Sequence, residues 1–170
     1  MAYETDDNTF TGPPGTGGSI KPFTILLVDD DSDCRALIRD AIGETGQAFR
    51  VIEHENGKDA VDFLFNCEDV DRPSIIFLDL EMPRMGGLET LEMIKAHPKL
   101  KDIPVVILTG VADSQVIERA ALLGANSYTL KHGRVEAFIE SIVASANYWL
   151  TVHQYPYRAK PQVSANPEGT

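Results

Sequence analysis

The sequence predicts an α/β domain: a doubly wound parallel sheet of five strands in the order 2-1-3-4-5, with helices on both faces. Three observations lead there. Short apolar runs alternate with stretches of helical periodicity five times along the chain, the pattern of strand–helix–strand units. The first, third and fourth runs are apolar almost throughout, as in strands covered on both faces. Right-handed crossovers between parallel strands then restrict the order to a few choices, of which 2-1-3-4-5 is taken. At 170 residues the chain is long enough for one domain with a full core and short tails, and a second domain fits poorly.

Residues 1 to 21 are polar and rich in Gly, Pro and Thr, a composition that buries too little apolar surface to offset chain entropy, so a disordered tail is expected. Gly12 to Ser19 nearly spells the phosphate loop GxxxxGK[ST]. Gly18 holds the lysine position, no strand precedes it, and Pro22 follows almost at once, so the strand, loop and helix that cradle a phosphate are lacking. "FTILLVDD", Phe23 to Asp30, is strand one. Asp31, Ser32 and Asp33 are N-cap candidates for a helix carrying Leu37, Ile38, Ala41 and Ile42 at helical spacing. "FRVIEHE" after Gly46 is strand two, and Gly57 opens a helix with Ala60, Val61, Leu64 and Phe65 on one side.

The third strand ends at Asp79, where "IIFLDLEMPRMGG" turns sharply at Met82-Pro83 and Gly86-Gly87. Its helix carries Leu88, Leu91 and Ile94 and stops before His97-Pro98, because the residue before proline disfavours helical geometry. "IPVVILTG" is strand four. Helix four runs from about Asp113 to Leu123 with Val116, Ile117 and Ala120 inward, and Gly124 is its natural stop. "NSYTLK", Asn126 to Lys131, is strand five. The last helix carries Val135, Phe138, Ile139, Ile142, Val143, Ala146, Trp149 and Leu150 at spacings of three and four. From Val152 onward two prolines within six residues and a polar end predict a tail that docks, if at all, near its start.

Composition removes several functions. The 26 acidic and 15 basic residues give a formal charge of −11, with no basic stripe, which argues against nucleic-acid binding. No apolar run reaches the length of a membrane span, and a polar, acidic segment rather than a signal peptide follows Met1; both point to a cytoplasmic protein. Cys34 and Cys67 lie on predicted helices without metal-ligand spacing and read as reduced, partly buried thiols. His54, His97, His132 and His153 show no paired spacing on one helical face.

In a sheet of this order strands one, three, four and five bring Asp29, Asp30, Asp79, Thr109 and Lys131 to one carboxyl-terminal edge, where open parallel sheets bind ligands. Three carboxylates in one small volume repel unless a cation neutralises them. An all-oxygen, water-accessible site suits Mg²⁺, which favours pairing with phosphate. Lys131 adds a compact positive charge and Thr109 a hydroxyl. The chemistry that fits is phosphoryl transfer to Asp79.

The segments "ILLVDDD", "IIFLDLEMPRMGG", "IPVVILTG" and "GANSYTLK" resemble the receiver domain of two-component response regulators over about residues 23 to 150. The resemblance implies a flavodoxin-like (βα)5 fold and divides the chain into an N-terminal tail (1–21), a receiver domain (22–152) and a C-terminal tail (153–170). It implies that Asp79 is the phospho-acceptor, Asp30 a direct Mg²⁺ ligand, Asp29 a ligand mainly through water, and the Glu81 backbone carbonyl the remaining protein ligand. Thr109 would turn toward the phosphoryl group, Tyr128 would swing inward behind it, and Gly110 would leave the group room. The implied donor is a phosphohistidine on a sensor kinase or phosphotransfer protein, and the surface that changes is helix four, strand five and helix five.

The sequence departs from the family pattern at His132, where proline usually follows the lysine; a cis peptide without proline costs about 2.5–4 kcal/mol, so either a strained bond is held here or the loop runs trans. Glu81 and Val111, each two residues past a site residue, would flank the path of attacking water. The aromatic end "ANYWLTVHQYPY" either caps the sheet with Trp149 and Leu150 or forms a protein interface. It is similar to single-domain receivers that work with bacterial phytochrome kinases and dimerise, which implies a phytochrome-type partner and a homodimer through the C-terminal helix region. Two rival readings are a Mg²⁺-dependent aspartyl phosphohydrolase and a pseudo-receiver that binds partners without phosphorylation.

Overall fold

The computed structural model describes residues 23–131 and 133–152. The predicted tails, the Gly12–Ser19 segment, Tyr155, Tyr157 and the geometry at His132 lie outside them. Five strands, β1 (Phe23–Val28), β2 (Phe49–His54), β3 (Ile75–Asp79), β4 (Val105–Thr109) and β5 (Ser127–Leu130), alternate with α1 (Ser32–Gly43), α2 (Gly57–Asn66), α3 (Gly87–Ala96), α4 (Ser114–Leu122) and α5 (Val135–Asn147). The sheet is parallel throughout, in the order β2-β1-β3-β4-β5, as the sequence predicts.

Alternation along the strands builds two cores. Leu26, Val28, Ile76, Leu78, Val105 and Ile107 face the layer of α2, α3 and α4. Ile25, Leu27, Ile75, Phe77, Val106 and Leu108 face α1 and α5. Each strand residue thus supplies one core or the other, which is why β1, β3 and β4 read as unbroken apolar runs. Helix starts follow side-chain capping. Of the predicted candidates, Asp31 caps α1, accepting from the Asp33 and Cys34 amides at 2.9 and 3.3 Å. Asn56 caps α2 and Asp113 caps α4.

Three helices depart from the expected burial. In α2, Ala60, Val61 and Leu64 are buried but Phe65, expected on the same side, is 44% exposed at the last turn. In α4 only Ala120 is buried, while Val116 and Ile117 are half-exposed. In α5, Phe138, Ile142 and Ala146 are buried but Val135, at its first turn, is 55% exposed. Helical periodicity marks the apolar stripe without showing where a helix end overhangs the sheet. The chain then widens into a π-helical turn, Tyr148–Val152, in which Leu150 joins the core, Trp149 packs against it and Tyr148 stays exposed. That matches the sheet-capping alternative for Trp149 and Leu150. Cys34 lies on α1, whereas Cys67 is the C-cap of α2 rather than part of it; both are free and half-buried.

Gly87, which opens α3, governs how the chain leaves β3. A Cβ there would lie 2.2 Å from the Asp79 carbonyl oxygen and 2.6 Å from the Leu80 Cα. The Gly87 amide also donates to the Leu80 carbonyl at 3.2 Å. Replacing Gly87 with Ala is expected to destabilise the fold by about 1–3 kcal/mol through overpacking against backbone, read as a lowered urea midpoint with an unchanged slope.

Candidate functional site

Asp79 is the last residue of β3 and is 2% exposed; Asp29 directly follows β1 and is fully buried. Asp30, one residue on, is exposed. Oxygens of these three carboxylates come within 4.8 Å of one another. Lys131 directly follows β5, and its ammonium bridges the two buried acids, at 2.7 Å from Asp29 Oδ2 and 3.0 Å from Asp79 Oδ2. Backbone amides satisfy the other oxygens. The Asp31 N–H donates to Asp29 Oδ1 at 2.9 Å, and the Glu81 N–H donates to Asp79 Oδ1 at 3.1 Å.

Each of these residues stands at or just past a strand end because strand hydrogen bonding runs out there and the chain turns into the following loop. The Lys131 N–H still donates to the Thr109 carbonyl at 2.8 Å, and the Leu80 N–H to the Leu108 carbonyl at 3.1 Å, so β3, β4 and β5 remain tied up to the site. Thr109, 2% exposed, donates its hydroxyl to the Val111 carbonyl at 3.0 Å and accepts from the Val111 amide at 3.2 Å. Tyr128 lies on the neighbouring strand and is 55% exposed. The Glu81 and Val111 side chains are exposed on the loops after β3 and β4.

Burial pushes the Asp79 carboxyl above its ordinary value of 3.8, and the Asp29 charge acts in the same direction, while Lys131 and the Glu81 amide offset only part of the rise. For Lys131, burial pulls the ammonium down, but its hydrogen bonds and charge pairing with Asp29 and Asp79 outweigh burial and hold it above 10.5. The Cys34 thiol beside Asp29 is pushed up to about 12, first by burial and then by that charge, which leaves it protonated and unreactive at neutral pH.

One lysine does not balance three carboxylates. The oxygen-only donor set, open on the Asp30 side, fits a hard divalent cation. All five residues predicted from the strand ends sit at the same edge of the sheet.

Sequence reasoning missed Arg35. Its guanidinium, 8% exposed, donates to the Asp29 backbone carbonyl at 2.6 Å and to Glu53 at 2.9 Å. The available signal was a cation at a stripe position of α1, three residues before Ile38 and seven before Ile42.

Residues 25–143 match the response regulator receiver domain family. The probable methanogenesis regulatory protein FilR2 of Methanothrix harundinacea is 34% identical over 137 residues, covering 79% of this chain and 88% of that protein. Response regulator Rcp1 of Synechocystis is 30% identical over 138 residues, covering 79% and 94%; its Mn²⁺-bound crystal structure superposes with a TM-score of 0.72 at 29% identity, covering 79% and 99%. The phosphorylated cyanobacterial phytochrome response regulator RcpA superposes at 0.73 with 28% identity, covering 79% and 99%.

Two outcomes follow for the metal-free protein. Lys131→Met removes the cation from two buried acids and is expected to lower stability by about 3–5 kcal/mol in chelator, measured by denaturant unfolding. Lys131 holds its proton more tightly when folded, so its contribution is present in full below pH 10.5 and is lost above it. Asp79 is raised too, but there the charged form is the disfavoured one. Its raised value means that ionisation costs folding free energy as pH rises above 3.8, so Asp79→Asn should be more stable than wild type at pH 7 and lose that advantage below about pH 4.

Proposed function

The chain belongs to the response regulator receiver family, a signalling family, and on that premise we propose that it accepts a phosphoryl group on Asp79 from a phosphohistidine. The observation that carries the proposal is a buried carboxylate pair bridged by one lysine, with a third acid at its open side. In the transfer an Asp79 carboxylate oxygen forms a bond to phosphorus as the donor's P–N bond breaks, and the histidine leaves with the bonding pair. Asp29, Asp30, Asp79 and the Glu81 carbonyl would hold Mg²⁺, which when bound offsets charge on the transferring oxygens. Lys131, already at Asp79, supplies a second positive charge at the same place.

Thr109 and Tyr128 are the proposed reporters. The Thr109 hydroxyl engages the Val111 backbone at the head of the loop leading to α4, so turning it toward a phosphoryl group at Asp79 would release that loop. The surface receiving the change is α4, β5 and α5, where Leu122, Tyr128, Leu130 and Val135 are exposed. Exposed apolar and aromatic side chains of this kind favour a protein partner. A phytochrome-type kinase is the proposed donor, supported by the likeness to RcpA, described as a phytochrome response regulator. A homodimer through the α5 end is supported by exposed Tyr148 and Val152. Among the described residues no helix is long and apolar enough to cross a membrane.

Incubation with Mg²⁺ and a small acyl phosphate should add one labile phosphoryl group to the intact mass of wild type and none to Asp79→Asn. No added mass in wild type supports the pseudo-receiver, and steady turnover of phosphate esters supports the phosphohydrolase. Exchanging the residues at Glu81 and Val111 should change the dephosphorylation rate about tenfold or more; an unchanged rate removes their assignment to the water path.

A further inference from the structure

We infer that Arg35 is the positioning residue of the acidic pocket, fixing the backbone that carries Asp29 and Asp30 so that their carboxylates stand ready for a divalent cation. The inference rests on the metal reading above.

Three elements meet at this side chain. Arg35 leaves α1 at its fourth residue and turns back to the Asp29 carbonyl, 2.6 Å from Nη1. Nε donates to Glu53 on β2 at 2.9 Å, and Nη2 lies 3.6 Å from Glu55. Glu53 is also paired with Arg39, one helical turn further along α1. The Asp29 amide meanwhile donates to the His54 carbonyl at 3.1 Å, in the same stretch of β2. The Asp29 peptide units are therefore gripped on both sides by the end of β2, on the carbonyl side through a side chain whose planar fork serves two acceptors at once.

The charge of this guanidinium is spent locally on Glu53 and Glu55, so its effect on the pocket comes through placement. Without it, the Asp29 carbonyl has lost its donor in a nearly dry setting, and the turn from β1 to α1 is free to relax toward water. That turn contains Asp29 and Asp30 and the Asp31 amide that holds Asp29 Oδ1. Lys131 cannot substitute, because it holds only carboxylate oxygens.

The test is calorimetric titration of MgCl₂ into wild type, Arg35→Met, Arg35→Lys and Glu53→Gln, at a temperature where circular dichroism shows each folded. It is paired with amide exchange at Asp31 in chelator. We expect Arg35→Met and Arg35→Lys both to weaken Mg²⁺ by about tenfold, because lysine keeps the charge but lacks the fork. Glu53→Gln should weaken it less, and Asp31 exchange should quicken in the Arg35 variants. Affinity within twofold of wild type in Arg35→Met, full rescue by Arg35→Lys, or tighter binding in Arg35→Met would each overturn the inference, the last two by showing that charge is what matters. If Arg35→Met does not fold, Arg35→Lys and Glu53→Gln decide. If wild type itself binds no Mg²⁺, the metal reading fails, and unchanged Asp31 exchange would then overturn the positioning role.

Discussion

The structure depends on the Lys131 ammonium held between the buried carboxylates of Asp29 and Asp79. Two acids this close and this dry would repel, and one would protonate, unless a cation stood between them. The cation arrives from the strand at the sheet's edge, while the acids end β1 and β3 at its centre, so the contact closes the carboxyl-terminal edge across β4. It is also an incomplete neutralisation. Burial still raises Asp79, and Asp30 is left facing solvent. A site with that residual negative charge suits a divalent cation in a way that a fully balanced salt bridge would not.

The loops around the site are held unequally. The loop after β3 is constrained by Gly87, which lets the chain pass against the Asp79 and Leu80 backbone, and by Arg84 in left-handed geometry at φ 69°. The turn after β1 is clamped through Arg35 and capped by Asp31. By contrast, the chain after β4 hangs on Thr109 and Val111, and α4 beyond it buries only Ala120. The acids therefore sit in the firmly held part of the fold and α4 in a lightly packed one.

The α5 end divides in a similar manner. Leu150 belongs to the core and Trp149 packs on it, while Tyr148 meets Trp149 edge to face with ring centroids 4.9 Å apart and remains exposed. Neighbouring residues of a helical turn point in different directions, so Trp149 lies against the core while Tyr148 faces water.

What the sequence determined by itself was the sheet and the cast of the site. Unbroken apolar runs ending in Asp29, Asp79 and Thr109 needed no tertiary knowledge to be recognised as central strands, and parallel pairing carried their ends to one edge. Helix bounds followed from Asp31, Gly57 and Asp113 on one side and from Pro98 and Gly124 on the other, because capping and backbone restriction are local. The tertiary structure alone decided what those residues touch. That Asp29 is buried and Asp30 exposed, that Lys131 spans two acids, that Val135 overhangs the sheet, and that Arg35 holds a carbonyl six residues back in the chain all depend on contacts between elements. Periodicity reports which way a side chain points along its own helix or strand, whereas burial and pairing are set by what the neighbouring element places opposite it.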